Sequence, residues 1–152
     1  MIEEININLL ECQLDSIGHF CNCQCVFGKG MALQIKNKYP EAYAADVKTK
    51  HGDKNKMGTF SYTISKKDSK HIVNCYTQFG YGYNSRYTDY EAVCNALTKV
   101  EEFLRNNGLK TFGLPNNAGC TLGGGDWTIV RAIIDSIFLD SPIKLYICNY
   151  SK

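Results

Sequence analysis

The sequence predicts an α/β protein with a central mixed, mostly parallel sheet covered by helices on both faces. Three observations carry this. Short apolar runs alternate with helical stretches along the chain, glycine-rich segments twice join a strand to a helix, and one pair of runs is close enough to form a hairpin. With 152 residues and no repeat, low-complexity tract or dividing linker, the chain predicts one domain, 1–152.

Residues 5–10 (Ile-Asn-Ile-Asn-Leu-Leu) read as a first strand and 16–23 as a second. Gly28-Lys29-Gly30 breaks the chain, and 31–39 reads as a short helix stopped by Pro40. Pro40 can open a second helix running to about Lys50, because proline is tolerated in a first turn. The polar stretch 51–56 is turn-like. Strands near 57–65 and 71–78 flank a turn at 66–70, and 79–87 is an aromatic, glycine-bearing loop. Thr88 and Glu91 have the spacing of a capping box, followed by a helix with Val93, Leu97, Val100 and Leu104 on one stripe and Asn107-Gly108 at its end. A strand at 109–114, a loop at 115–125, a helix capped by Asp126 and a strand at 143–148 complete the chain.

Composition excludes several classes. A hydrophobic content of 44% is too high for disorder, and a formal charge of +2 argues against a protein built mainly to coat nucleic acid. No 18-residue apolar run is present, so no membrane-spanning helix is expected. Acidic Glu3-Glu4 near the start is unlike a secretory signal, which predicts a cytoplasmic protein whose eight cysteines are thiols. No CxxC pair occurs, so no metal site is expected. Cys21, Cys23 and Cys25 alternate with Asn22 and Gln24, which in a strand puts the three thiols on one face and the two amides on the other.

The segments 22–32 and 119–127 share one construction of strand, glycine-rich loop and helix start. Glycine permits close approach of backbone to a ligand, and a helix start offers N–H groups and a positive dipole end to phosphate. Neither segment is a Walker loop or a GxGxxG fingerprint. The pattern points to a diphosphate held by backbone amides without metal.

The run from Ile17 to Glu41, the segment Tyr76-Thr77-Gln78-Phe79-Gly80-Tyr81-Gly82 with Tyr87-Thr88-Asp89-Tyr90-Glu91, and Leu114-Pro115 with Ala118 through Trp127 together resemble the macrodomain family over nearly the whole chain. The resemblance implies a three-layer α/β/α module that binds ADP-ribose, similar to microbial and phage-type ADP-ribose 1″-phosphate phosphatases. It implies that Asn22 contacts the distal ribose and that Gly28, Lys29, Gly30, Met31 and Ala32 surround that ribose and the diphosphate. It assigns Gly119, Cys120, Thr121, Leu122, Gly123, Gly124 and Gly125 to a phosphate-cradling loop, Thr77 and Gln78 to the ligand wall, and Tyr150 to a place beside the adenine.

Four departures from the family pattern stand out. The acidic adenine contact falls at Gln13, family glycines fall at Cys25 and Thr121, and the lysine and aspartate of the glycohydrolase branch fall at Gln78 and Gly123. The resemblance thus implies a phosphatase that releases phosphate from ADP-ribose 1″-phosphate, with Asn22 fixing the ribose and His19 and Asp126 as candidate bases. Strand parity puts His19 with the core face and Asp126 is well placed as a helix cap, so each also has a structural reading. A binding module without turnover, and a hydrolase removing ADP-ribose from protein or nucleic acid, are the alternatives. The aromatic run 76–87 contains a single cation, Arg86, so it reads as a cleft wall rather than a base-stacking surface. No cofactor, no membrane and no sequence-specific nucleic acid are expected as partners, and a monomer is the expected state.

Overall fold

The computed structural model describes residues 1–82 and 85–149. Six strands form one sheet in the order β1-β6-β5-β2-β4-β3: β1 (Ile2–Ile5), β2 (Ser16–Cys21), β3 (Phe60–Ile64), β4 (His71–Tyr76), β5 (Thr111–Pro115) and β6 (Lys144–Cys148). β3 pairs antiparallel with β4, and the other neighbours run parallel. The helices are α1 (Gly30–Lys38), α2 (Pro40–Val47), α3 (Tyr90–Asn106) and α4 (Trp127–Phe138).

Alternation along the central strands divides the core into two layers. Val73 and Cys75 of β4, Phe112 and Leu114 of β5 and Leu145 and Ile147 of β6 are fully buried against the α3 stripe and Val130, Ile134 and Phe138 of α4. Ile17 and Ile72, on the opposite face, pack with Ile35, Tyr39 and Ala42 from α1 and α2. Helices therefore cover both faces, as the sequence predicts. His19 shares a strand face with Ile17 and Cys21, so parity locates it correctly on the α1–α2 side.

Three elements differ from expectation. The first strand is 2–5 rather than 5–10, because Asn8 accepts from the Leu10 amide and turns the buried Leu9–Leu10 pair into a short 3₁₀ helix. The cap of α3 is Asp89, which accepts from the Ala92 amide, while Thr88 is diverted to donate its hydroxyl to Gly119 O at 2.6 Å. The strand holding Cys21 ends there. Cys23 and Cys25 lie in a loop, and Cys25 takes a left-handed φ of 56°, so the three thiols do not line one strand face.

Candidate functional site

A cleft of about 590 Å³ opens where β2 and β5 end and both glycine loops begin. The loops converge there: a Cβ placed on Gly30 would sit 3.6 Å from Leu122 Cδ1. The lining includes Asn22, Gly28, Lys29, Gly30, Met31 and Ala32 on one side and Gly119, Thr121, Leu122 and Gly123 on the other, with His19 and Gln78 between them. Among the described lining residues Lys29 is the only lysine or arginine, and there is no carboxylate. Such a cleft suits an anion.

The first loop is shaped by side chains. Asn22 Oδ1 accepts from the Gln24 amide at 2.8 Å and its Nδ2 donates to Val26 O at 2.9 Å, so its carboxamide closes the loop on itself. Gln24 Nε2 donates to Phe79 O, Tyr43 Oη donates to Cys25 O and Lys56 Nζ donates to Cys23 O. α1 begins at the end of this loop with Lys29 as an extended N-cap whose side chain makes no capping bond. Gly30, Met31 and Ala32, the first residues of α1, thus line the cleft with no N-cap side chain bonded to their amides, and a helix start of this kind suits phosphate. Cys25, at a family glycine position, sends its sulfur toward Asp46 O (3.6 Å) and Thr49 Oγ1 (3.9 Å), away from the cleft. Its backbone keeps the conformation a glycine would favour.

The second loop is shaped by backbone. Gly125 N donates to Gly119 O at 2.9 Å and Gly124 N to Thr121 O at 3.3 Å, while Gly123 O accepts from the amides of Tyr87 and Thr88. Gly124 and Gly125 therefore lie outside the lining, and only Gly123 of the three consecutive glycines reaches it. Asp126 caps α4 by accepting from the Thr128 amide at 2.8 Å, is exposed, and lies outside the lining. Its carboxylate is committed as a cap rather than placed as a base.

His19 is 1% exposed, and burial pulls its pKa down to about 4. Asn74 uses its amide nitrogen on Ala42 O and Ser61 Oγ, each at 3.0 Å, so its oxygen faces His19 and accepts from Nε2–H at 2.7 Å. Ser61 Oγ lies 2.8 Å from Tyr76 Oη, which donates to Asp46 Oδ1 at 2.6 Å. A buried polar chain thus runs from the cleft floor to α2. Burial also raises the Asp46 carboxyl, against the opposing pulls of Tyr76 and Lys56. His19 is a neutral, committed group at neutral pH.

Of the other expected site residues, Gln13, Thr77 and Cys120 lie outside the lining. Gln13 is exposed, Thr77 is fully buried, and Cys120 turns its sulfur back to Ala118 O. Tyr150 lies outside the described residues. Sequence reasoning missed Phe20, Val26, Asn116 and Asn117, which also line the cleft. The Pro115-Asn-Asn turn after β5 was the available signal, since Asn117 takes a left-handed φ of 60° there.

Phage T4 encodes an uncharacterised 17.5 kDa protein from the tk-vs intergenic region that is 32% identical over 140 residues, covering 89% of this chain and 86% of the phage protein. The DNA ADP-ribosyl glycohydrolase of Mycobacterium tuberculosis is 30% identical over 137 residues; the chain spans 38% of that protein's length. The solved macrodomain of M. tuberculosis DarG superposes with a TM-score of 0.82 at 24% identity, covering 100% of this chain and 98% of that one. The chain has the macrodomain fold and is of one family with the phage protein. No protein-family model matches it. In this macrodomain the glycohydrolase lysine and aspartate positions implied by the sequence resemblance are Gln78 and Gly123, and they adjoin: a Cβ on Gly123 would lie 2.8 Å from Gln78 Oε1.

Proposed function

We propose that the cleft binds ADP-ribose, with the diphosphate between the start of α1 and residues 121–123, and that it releases phosphate from ADP-ribose 1″-phosphate. The observation that carries the binding reading is the uncapped α1 terminus facing a described lining with one lysine and no carboxylate. Catalysis then rests on positioning and on N–H donors meeting charge at the phosphoryl oxygens. Water attacks phosphorus, the bond from phosphorus to the ribosyl oxygen breaks, and the proton reaches the leaving hydroxyl through the phosphate's own oxygens. His19 is not the base in this scheme, because its Nε2–H is held by Asn74 and its pKa is about 4.

A second reading, removal of ADP-ribose from DNA, is favoured by the name of the mycobacterial relative. Against it stand Gln78 and Gly123, since glutamine cannot supply lysine chemistry. Two assays separate the readings, after calorimetry with ADP-ribose has established binding. Phosphate released from ADP-ribose 1″-phosphate supports the first reading, and free ADP-ribose released from an ADP-ribosylated oligonucleotide supports the second. Absence of ADP-ribose binding at millimolar concentration overturns both.

A further inference from the structure

The chain's eight cysteines differ in chemical character. Burial pushes the Cys21, Cys23, Cys75 and Cys120 thiols up, which keeps them protonated and unreactive. Cys12 and Cys148 are arranged otherwise. They come from near the two ends of the chain, share the core layer that packs under α1 and α2, and are 3% and 4% exposed. Their sulfurs are hydrogen-bonded to each other. Cys148 Sγ would lie 3.5 Å from a Cβ on Gly113, beside methyl groups of Leu9 and Leu14, and Cys12 Sγ is 2.9 Å from Leu9 O.

Lys70 completes this cluster. It is 7% exposed, its Nζ donates to Cys12 O at 2.6 Å, and the same atom lies 3.9 Å from Cys12 Sγ. No ion pair among the described residues includes it. Asp68 nearby spends its carboxylate on the Lys70 amide and the Tyr39 hydroxyl. A buried ammonium needs a negative partner, and the ionisable side chain at hand is the Cys12 thiol. The hydrogen bond from Cys148, with Lys70 acting in the same sense against burial, holds Cys12 below the ordinary thiol range. That bond and burial together push Cys148 up. One sulfur is thereby the nucleophile, and its neighbour is a thiol ready to resolve what forms on it.

We propose that Cys12 and Cys148 are an oxidative modification site, a dithiol that a hydroperoxide closes to a disulfide, and that closure alters the cleft wall at Asn116. The Cys12 thiolate attacks a peroxide oxygen, the O–O bond breaks, and the hydroxide released takes a proton to become water. Cys148 then attacks the sulfur of the Cys12 sulfenic acid, the S–O bond breaks, and the Cys148 proton leaves with the oxygen as a second water. The cleft feels the change because Cys148 O accepts from the Asn116 amide at 3.1 Å and Cys148 pairs with Pro115 across β5 and β6. Asn116 and Asn117 line the cleft. The bond draws Cys148 toward Cys12 and loosens its hold on that wall.

The test treats the reduced protein with one equivalent of hydrogen peroxide, blocks the remaining thiols with N-ethylmaleimide in denaturant and reads the intact mass. The oxidised chain should carry two fewer maleimides than the eight of the reduced chain, and its digest should contain a Cys12–Cys148 peptide that dithiothreitol removes. Cys148→Ala should stop at the Cys12 sulfenic acid, captured by dimedone, and Lys70→Gln should slow disulfide formation by about tenfold. These variants alter the core, so the wild-type digest decides the pairing by itself. Label lost from other cysteines, or no linked peptide at excess peroxide, overturns the site, and an unchanged rate in a folded Lys70→Gln variant overturns the part given to Lys70. Hydrogen exchange at Asn116 and Asn117 should speed up about threefold or more on oxidation, and unchanged exchange there overturns the link to the cleft. ADP-ribose affinity should fall with it, a readout that rests on the binding reading above. Absent ADP-ribose binding by the reduced protein removes that reading alone, because the disulfide and the exchange are both read without ligand.

Discussion

The two glycine loops are alike in sequence and held by opposite means. Side chains brace the first: Asn22 closes it, and Gln24, Tyr43 and Lys56 tie it to three other segments. Its glycines have room, with a Cβ on Gly28 meeting nothing closer than Val26 at 3.5 Å. The second loop is packed on its own backbone and on residues 85–88. A Cβ on Gly123 would lie 2.5 Å from Thr88 Oγ1, one on Gly124 2.6 Å from Ser85 O, and one on Gly125 2.9 Å from Gly119 O. The helix starts differ in the same sense, since α1 is open and α4 is capped by Asp126. A glycine-rich loop before a helix thus has two physical origins. In one the space beside the glycines is left open, and in the other the chain itself fills it.

The largest effect that follows is on Gly124. It has a φ of +72° and faces a backbone oxygen that cannot rotate away, so Gly124→Val should cost on the order of 4 kcal/mol of stability. Denaturant unfolding measures this. A loss below about 1 kcal/mol would mean the second loop is not packed as described, and the contrast between the loops would fail.

How much of this was legible in the sequence depends on the range of the interactions. The α3 stripe and the Asp126 cap were readable because the residues that decide them lie within a turn or two. The N-cap of α3 was misplaced by one because Thr88 is claimed by Gly119 O, 31 residues away, and no local pattern reports that. The Ile-Asn-Ile-Asn alternation at 5–8 suggested a strand, but Asn8 spends its side chain on the Leu10 amide and ends pairing at Ile5. Both cleft loops were found, since glycine and helix-start signals are local. Gly124 and Gly125 read as ligand contacts in the sequence yet lie outside the cleft lining, because close approach to a ligand and close approach to Ser85 or Gly119 O require the same residue type.

A second, smaller effect probes the floor of the first loop. His19 packs edge-on against Phe27, with ring centres 5.1 Å apart, and Phe27 also touches Tyr43. Its folded pKa of about 4 lies below the ordinary 6.5, so the unfolded chain binds the proton more readily. The stability this gives is complete above about pH 6.5 and is lost as pH falls toward about 4, reaching on the order of 3 kcal/mol. His71 is shifted in the same direction by burial and adds to the same window. His19→Gln should flatten the stability profile between these pH values, as read by thermal unfolding. Hydrogen exchange at pH 5 should rise at 22–28 before it rises at 119–125. Simultaneous opening would place both loops in one cooperative unit and weaken the distinction drawn between them.

The smallest effect on stability is also the most discriminating. Gly28 is exposed, its φ is not left-handed, and its missing Cβ would meet only an ordinary contact. An alanine there restricts the unfolded chain without straining the folded one, so Gly28→Ala should leave stability unchanged or raise it by about 0.5 kcal/mol. If the room at Gly28 is reserved for a nucleotide-sugar diphosphate, the same methyl group occupies ligand space, and ADP-ribose affinity measured by calorimetry should fall by roughly tenfold. Stability and binding then move in opposite directions from one substitution. A purely structural glycine cannot give that outcome, because it would lose stability and binding together. A vacant turn with no ligand against it would lose neither.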